Sequence, residues 1–306
     1  MSAPLADLFP GFAARTVETG AGEQGGAGIF LRTGGEGPPL LLIHGYPQTH
    51  VMWHRVAPAL AERFTLVIPD LRGYGQSSVP ASDADHYAYS KRAMAGDFVE
   101  VMAALGHDRF HVAGHDRGGR VAYRLALDHP DRVQKIAVLD IVPTYAMWQG
   151  FDIDFAMKVY HWIFLAQPNP LPEMLISRAP VEYLDYTIAS WTKAKSLAAF
   201  DDRALVHYRA FFSQPERIHA CCEDYRAGQD YDYRADTVDA EAGNRIAAPL
   251  LALWGAAGIP SETESPLETW RAWAGDVTGM AVDSGHFVCE ENPDATAAAL
   301  LDFFGG

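Results

Sequence analysis

Residues 110–120 read FHVAGHDRGGR, and this stretch decides the fold class. The apolar run 110–114 predicts a buried strand, and the sequence VAYRLALD at 121–128 predicts a helix directly after it. The small residues of the G-x-D-x-G pattern at 114–118 allow a turn too sharp for larger side chains. The stretch therefore predicts a nucleophile elbow, a strand-to-helix turn that exposes Asp116 at its tip.

Similar apolar runs lie on both sides of this elbow, separated by longer amphipathic stretches. The predicted strands are 40–44 (LLLIH), 65–69 (TLVIP), 110–114, 136–140 (IAVLD), 250–254 (LLALW) and 279–282, and the predicted helices are 89–105, 119–128 and 266–274. This alternation is typical of a mostly parallel sheet covered by helices. It stops between 142 and 245, an aromatic-rich segment that predicts a helical cap inserted over the sheet.

The charge balance excludes several classes of partner. The 306 residues include 24 basic and 39 acidic ones, a net charge of −15, whereas nucleic acids and anionic membranes bind basic surfaces. The three cysteines (Cys221, Cys222, Cys289) are odd in number and two are adjacent, which is a poor disulfide framework and favours a reducing, cytoplasmic setting. No signal peptide or membrane-spanning apolar run is evident, so we expect neither export nor a membrane partner.

Asp116 suggests nucleophilic catalysis by a carboxylate. A carboxylate can attack a saturated carbon and form an alkyl ester, which water then hydrolyses with the help of a general base. Asp140 at the end of the next strand and His286 after the last strand follow in the chain order of nucleophile, acid and histidine. Each residue alone also fits a structural role as a turn aspartate, a strand-end cap or a loop histidine.

Further groups near the elbow suggest how charge would be stabilised. The backbone N–H of Arg117 and that of Tyr46, in the loop after the first apolar run, are candidate oxyanion donors, although this loop also fits a simple turn. Arg117 and Arg120 lie three residues apart in the first helical turn, where positive charge opposes the helix dipole. They either pair with a nearby acid or form a fork that binds a substrate carboxylate.

The chain resembles the α/β-hydrolase superfamily, and within it the fluoroacetate (haloacetate) dehalogenases. The resemblance runs over most of the chain and is carried by HGYPQTHVMW from His44, DLRGYGQS from Asp70, GHDRGGR from Gly114, VLDIVPTYAMW from Val138, YHWIFLAQP from Tyr160, CEDYRAG from Cys222 and SGHF from Ser284. The first two motifs and the last recur across the superfamily, and the others are more specific. In related haloalkane dehalogenases and epoxide hydrolases a tryptophan usually follows the aspartate, where this chain has Arg117.

The resemblance implies a fold and a set of roles. It implies an α/β-hydrolase core, with a mostly parallel eight-stranded sheet, at residues 1–141 and 246–306, and a helical cap at 142–245. It implies a haloacetate dehalogenase that converts a short 2-haloacid, fluoroacetate among them, to a 2-hydroxy acid and halide, and it implies a homodimer. The implied residues are Asp116 (nucleophile), His286 (base), Asp140 (its partner), Arg117 and Arg120 (substrate carboxylate), and His161, Trp162 and Tyr225 (halide).

Several alternatives remain open at the level of sequence. An epoxide hydrolase shares the aspartate and histidine but protonates the epoxide with cap tyrosines, which this cap also offers. A non-catalytic carboxylate-binding protein and a serine esterase fit less well, since the full set of Asp116, Asp140 and His286 is present and the elbow carries no serine. We expect no metal or organic cofactor, because His44, His50 and His54 match no familiar zinc spacing and no G-x-G-x-x-G follows an early strand.

Overall fold

The computed structural model describes residues 5–20, 25–258 and 266–306. Eight strands form one sheet: β1 (Ala13–Glu18), β2 (Gly28–Gly34), β3 (Pro39–Ile43), β4 (Thr65–Pro69), β5 (Phe110–His115), β6 (Val133–Leu139), β7 (Leu250–Gly255) and β8 (Val277–Val282). Their order across the sheet is β1-β2-β4-β3-β5-β6-β7-β8. β1 and β2 are antiparallel to their neighbours and the other strands are parallel, so the predicted mostly parallel eight-stranded sheet is confirmed.

The helices follow in chain order: α1 (Ala57–Ala61), α2 (Lys91–Ala104), α3 (Arg117–Asp128), α4 (Thr144–Gln149), α5 (Ile153–Lys158), α6 (Tyr160–Leu165), α7 (Leu171–Ile176), α8 (Pro180–Trp191), α9 (Asp202–Phe212), α10 (Pro215–Ala227), α11 (Tyr233–Ala242), α12 (Pro266–Trp273), α13 (Val288–Glu291) and α14 (Pro293–Gly305). Short 3-10 helices occupy His50–Trp53 and Tyr87–Tyr89, and a π-helical turn, Gly228–Asp232, joins α10 to α11.

The central strands form the core. Every residue of β5 is buried, and β3 is buried at four of its five positions, as expected for parallel strands covered on both faces. β1, in contrast, is exposed at nearly every position, and it carries no apolar run that a sequence pattern could reveal. This exposure explains why β1, at one edge of the sheet, is absent from the strands predicted individually.

The predicted strand and helix boundaries differ from the observed ones by up to three residues. Strand 65–69 coincides with β4, whereas β6 begins three residues before the predicted start and ends at Leu139, so Asp140 directly follows it. α3 begins at Arg117 and not at Gly119, because the helix starts immediately after the turn at Asp116. Asp116 directly follows β5 and Asp140 directly follows the parallel strand β6, so both lie at the carboxyl edge of the sheet.

Residues 142–245 contain α4 to α11 and no strand, and we call this segment the cap. Its aromatic side chains form much of its packing; the rings of Trp148 and Phe151, for example, stack with centroids 4.8 Å apart. The division into core and cap at 142 and 245 remains a prediction. Within the described ranges, no helix is both long and apolar enough to cross a membrane.

Candidate active site

The turn that carries Asp116 depends on glycines. Asp116 has φ 47° and ψ −117°, a backbone conformation rarely adopted by residues other than glycine, and it directly precedes α3. A Cβ on Gly114 would lie 2.3 Å from the carbonyl oxygen of Gly118, and a Cβ on Gly118 would lie 2.2 Å from that of His44. Only glycine therefore fits on either side of the turn, as the elbow pattern requires.

Asp116 lies against the loop after β3. Its Oδ2 accepts a hydrogen bond of 2.9 Å from the backbone N–H of Tyr46, and its side chain is largely buried. Burial opposes ionisation of this carboxyl, but the neighbouring His286 and the two arginine guanidiniums outweigh burial and lower the pKa of Asp116. The nucleophile is therefore a carboxylate at neutral pH. Because it is buried, water solvates it only in part.

His286 and Asp140 form a close pair beside this carboxylate. The Nδ1 of His286 lies 2.6 Å from Oδ2 of Asp140, and Oδ1 of Asp140 accepts a hydrogen bond of 2.8 Å from the backbone N–H of Gly255. The Nε2 of His286 has no hydrogen-bond partner within the described part of the chain. Burial acts to lower the pKa of His286, but the hydrogen bond and charge of Asp140 more than offset it, and the pKa is raised. The arrangement orients the imidazole and leaves one nitrogen available for proton transfer.

Trp191 at the end of α8 also holds His286 in place. Its carbonyl oxygen accepts a hydrogen bond of 3.0 Å from the backbone N–H of His286, and its indole meets the imidazole edge to face at 5.4 Å. A Cβ on Gly285 would lie 2.6 Å from the Trp191 carbonyl oxygen, so the histidine loop approaches the cap closely. Trp191 is thus a residue of the site for which sequence reasoning assigned no role.

Arg117 and Arg120 both lie near Asp116 but have different partners. Arg117 makes a two-pronged ion pair with the buried Asp224 of α10, with Nη2–Oδ1 at 2.7 Å and Nε–Oδ2 at 3.1 Å. Within the described residues, the acceptors of Arg120 are both neutral: the Val142 carbonyl and the Thr144 hydroxyl, each at 3.0 Å. Arg117 Nη1 and Arg120 Nε are buried and lack a partner among residues 5–20, 25–258 and 266–306. Each guanidinium thus retains one buried donor for a further acceptor.

The three residues expected to bind halide lie together in the cap. The ring of Tyr225 lies 5.7 Å from that of His161 and 6.1 Å from that of Trp162, measured between centroids, and all three side chains are buried. Within the described residues, His161 Nδ1 and the Tyr225 hydroxyl have no hydrogen-bond partner. Burial lowers the pKa of His161 to about 3, so its imidazole is neutral. The cluster offers uncharged hydrogen-bond donors above Asp116.

A small cavity of about 20 Å³ connects these groups, a volume of the order of one water molecule. Ile141 and Met147 form its apolar side, and the remaining lining residues are Asp116, Arg120, Asp140, His161, Trp162, Trp191 and His286. The nucleophile, the base and two of the expected halide ligands therefore share one space. Arg117 and Tyr225 both contact the lining residue Trp162: the Trp162 ring centroid lies 5.7 Å from the guanidinium carbon and 6.1 Å from the centroid of the Tyr225 ring.

Asp224 is the other residue of the site that sequence reasoning missed. It lies in the quoted motif CEDYRAG, but a carboxylate inside a helix usually faces solvent, and the motif carries no signal that α10 packs on α3. The neighbouring Tyr225 was assigned only through the resemblance. Asp224 and Tyr225 both contact Arg117 at the elbow, and this contact between the cap and the core is visible only in the structure.

Taken together, the groups suit a two-step displacement on a small anionic molecule. A buried carboxylate, an imidazole with one available nitrogen, and backbone N–H groups at the elbow can form and then hydrolyse an ester. Buried cationic donors can bind an acidic group on the same molecule. A serine hydrolase is excluded at this elbow because Asp116 occupies the position of the nucleophile.

The comparisons with known proteins agree with this architecture. Residues 38–293 match the family model described as alpha/beta hydrolase fold. The chain is 42% identical over 296 residues to a fluoroacetate dehalogenase from Burkholderia sp, covering 97% of this chain and 95% of the relative. It is 36% identical over 276 residues to a soluble epoxide hydrolase from Corynebacterium sp. (strain C12), covering 89% and 92% of the two chains.

A solved structure from Nostoc sp PCC 7120 is 50% identical to the chain and superposes with a TM-score of 0.91. It covers 96% of this chain and 98% of its own. The matched residues of the family model, 38–293, include the elbow, the cap and the histidine loop. The chain therefore belongs to the α/β-hydrolase fold family.

Proposed function

We propose that this protein is a haloacetate dehalogenase that hydrolyses short 2-haloacids, fluoroacetate among them, to the 2-hydroxy acid and halide. The observation that carries the proposal is the carboxylate of Asp116 at the elbow, beside two buried arginines that each retain an unpartnered donor within the described chain. The name of the Burkholderia relative, 42% identical over nearly the full length, supports the same substrate class.

In the first step, Arg117 and Arg120 bind the carboxylate of the substrate and hold its halogen-bearing carbon against Asp116. An oxygen of Asp116 forms a bond to that carbon as the carbon-halogen bond breaks, and the halide leaves with the bonding electron pair. Positioning of this kind supplies a large share of the rate in displacement reactions. His161, Trp162 and Tyr225 donate hydrogen bonds to the departing halide, which matters most for fluoride, a poor leaving group.

In the second step, His286 takes a proton from water, and the hydroxide adds to the ester carbonyl of Asp116. The backbone N–H groups of Tyr46 and Arg117 stabilise the oxygen that becomes negative. The bond between the Asp116 carboxyl carbon and the alkyl oxygen then breaks, and the alkyl oxygen takes the proton back from His286 to give the 2-hydroxy acid. The new carboxyl group of Asp116 loses its proton, and the carboxylate is regenerated. Asp140 keeps the imidazole in the orientation and tautomer that this step needs.

Epoxide hydrolysis is the second candidate, because the Corynebacterium relative carries that name and the Tyr225 hydroxyl has no partner in the described residues. A tyrosine hydroxyl above Asp116 could protonate an epoxide oxygen. A neutral epoxide, however, makes no use of two buried guanidiniums beside the nucleophile. The arginines therefore favour the haloacid.

Halide release tests the proposal. Purified protein should release fluoride or chloride from fluoroacetate or chloroacetate and form glycolate, and Asp116→Asn should lower the rate by at least about 10³-fold, since it removes the nucleophile. Styrene oxide serves as the competing substrate. Turnover of styrene oxide without any halide release from haloacetates would reject the dehalogenase and support the epoxide hydrolase.

We also propose a cytoplasmic homodimer in which residues 142–245 act as the cap over the site. Cys221, Cys222 and Cys289 are all unpaired, which supports a reducing compartment. Two apolar side chains on α5, Ile153 and Met157, are 83% and 74% exposed, which supports a contact surface on the cap. Light scattering coupled to size-exclusion chromatography should give the mass of two chains, and the mass of one chain would contradict the dimer.

A further inference from the structure

Four charged side chains are buried together behind the elbow. Lys91 on α2, Arg117 on α3, Asp224 on α10 and Asp232 in the π-helical turn are each at most 5% exposed. Charges removed from water are tolerated only when they are paired in good geometry. The cluster joins the core to the cap at the residue next to Asp116, so its geometry bears on the site.

Asp224 fixes the orientation of the Arg117 guanidinium. It binds the Nε and Nη2 edge of Arg117 through both carboxylate oxygens, and its backbone carbonyl accepts a further bond of 2.7 Å from Nη2. Tyr225 covers one face of the guanidinium, and a Cβ on Gly228 would lie 2.8 Å from Nη2. Nη1 is the one guanidinium nitrogen left without a partner among the described residues.

Lys91 shares the charge of the same carboxylate. Its Nζ forms a short ion pair with Oδ1 of Asp224 and lies 3.1 Å from Oδ2 of Asp232. Oδ2 of Asp224 also accepts a hydrogen bond of 2.8 Å from the hydroxyl of Tyr74. Asp224 and Asp232 together balance the charges of Lys91 and Arg117. Because Asp224 is divided between two cations, Arg117 keeps more of its positive charge than it would if it alone were paired with Asp224.

We propose that Asp224 is a positioning residue that aims Nη1 of Arg117 at the substrate, and that Lys91 preserves the positive charge of Arg117 by sharing Asp224. This inference rests on the proposed function, in which Arg117 binds the carboxylate of the substrate. Asp224 acts through Arg117 and has no contact of its own with the reacting atoms. The chemistry recognised is that of a small carboxylate.

Asp224→Asn tests the positioning role. The single-turnover rate of halide release from chloroacetate should fall about 10- to 100-fold, because a misplaced substrate loses its attack geometry. The dissociation constant for acetate, measured by calorimetry, should not rise, because the variant removes a negative charge beside Arg117. If Asp224 had only a structural role, the variant would unfold at a lower denaturant concentration, but it would not combine a slower single turnover with unchanged acetate binding.

Glu223→Gln is the matched control for Asp224→Asn. Glu223 is buried on the same helix and ion-paired to Arg226 at 2.5 Å. Within the described residues its other side-chain partners are Ser82, His86 and His219. Halide release by Glu223→Gln should stay within about twofold of wild type, because its partners in the described residues lie away from the elbow and the two sites act independently. A rate for Asp224→Asn that is no lower than that of Glu223→Gln would overturn the positioning role.

Lys91→Met tests the sharing of charge. Among the described residues, Arg117 would then be the one cation paired with Asp224, so the dissociation constant for acetate should rise about three- to tenfold. An unchanged acetate affinity would overturn this part of the inference. If wild type released no halide from any haloacetate, the proposed function would fail, while the acetate affinities of wild type and Lys91→Met would still test the charge arrangement.

If Asp224→Asn does not fold, Tyr74→Phe replaces it. This variant removes one hydrogen bond to the Asp224 carboxylate without changing any charge. The rate of halide release should fall about two- to tenfold, with acetate affinity preserved. A wild-type rate in Tyr74→Phe would then contradict the positioning of Arg117 through Asp224.

Discussion

At the scale of single residues, the chemistry depends on one available nitrogen of His286. Its Nδ1 is engaged by Asp140 at 2.6 Å, and its Nε2 is the buried atom left for water. The first displacement needs no base, because Asp116 is already ionised. The two steps should therefore separate when the imidazole is removed.

His286→Gln should trap the ester. We expect a single burst of halide, about one equivalent per site, followed by turnover slower by about 10²- to 10⁴-fold, the usual share of a general base. Mass spectrometry of the intact protein should show the mass of one added carboxymethyl group, and a proteolytic digest should place that group on the peptide that contains Asp116. His107→Gln, in the turn after α2, is the control and should turn over normally; a His286→Gln protein that releases no halide at all would argue against an ester formed before the base acts.

Much of this residue-level arrangement follows from sequence. Asp116 and Asp140 directly follow β5 and β6, and His286 lies in the loop after β8; parallel strands bring such positions to one edge of the sheet. Asp224 could not be predicted in the same way, because its importance depends on packing between α10 and α3, more than a hundred residues apart in the chain. Trp191 contributes a backbone carbonyl, which no side-chain pattern reveals.

At the scale of elements, the site depends on how closely the loop after β3 approaches the elbow. A Cβ on Gly45 would lie 2.5 Å from the Cβ of Asp116 and 2.7 Å from the His115 carbonyl oxygen. Both neighbours belong to the strand-to-helix turn and have little freedom to move. The N–H of Tyr46 reaches Asp116 only because this approach is possible.

Gly45→Ala should therefore damage both stability and activity. We expect a loss of about 1 to 3 kcal/mol in the free energy of unfolding, as for overpacked cores, together with a large loss of halide release. Gly96→Ala is a matched control, since Gly96 lies within α2 and a Cβ there meets nothing within 4 Å. That control should stabilise the protein by about 0.5 to 1 kcal/mol and keep its activity; equal stability of the two variants in urea titrations would refute the role of close approach.

Sequence patterns predict the buried central strands well, but they do not predict the exposed edge strands or the individual cap helices. Strands β3 to β7 carry continuous apolar runs because both of their faces are buried, and the sequence pattern finds them. β1 is exposed and β2 is only partly buried, so their pairing with the sheet has no periodic signal. The cap helices were predicted as a segment and not one by one, since their packing is aromatic and irregular.

At the scale of the whole molecule, a second buried polar cluster joins the core to the cap. Glu290 on α13 is 1% exposed, and its Oε1 accepts a hydrogen bond of 2.6 Å from Tyr208 on α9. Gln48, in the loop after β3, lies 3.5 Å from the same oxygen. Burial raises the pKa of Glu290 to about 8, so the folded protein holds a proton that the unfolded chain releases near its ordinary pKa of 4.5.

This cluster predicts a pH dependence of stability. Because the folded-state pKa is the higher one, the folded protein binds more protons between pH 4.5 and 8, and the contribution of Glu290 to stability falls as pH rises through that window, by about 1.4 kcal/mol per pH unit. Glu290→Gln should remove that slope and stabilise the protein above pH 8. Urea unfolding from pH 5 to 9 measures it, with exposed Glu36→Gln as control; a wild-type slope in Glu290→Gln would show that Glu290 does not hold the proton.

The net charge of the whole molecule is opposite in sign to the charge of the two arginines at the proposed site. A protein with net charge −15 repels small anions at a distance, and the proposed site offsets this locally with Arg117 and Arg120. Composition alone excluded polyanionic partners, but it gave no indication of where positive charge would be concentrated. The positive charge is concentrated in the two arginines after the elbow. Asp224 pairs with Arg117, whereas Arg120 donates to neutral acceptors.

The central claim is that Asp116 attacks carbon and that water later attacks the carboxyl group of Asp116. A single turnover of chloroacetate in water labelled with heavy oxygen, with enzyme in excess, tests it most directly. We expect the label to enter the side chain of Asp116, where mass spectrometry of its peptide would find it, while the glycolate hydroxyl from that turnover stays unlabelled. Label in the glycolate hydroxyl and none in Asp116 would show that water attacks the substrate directly, and would contradict the ester mechanism.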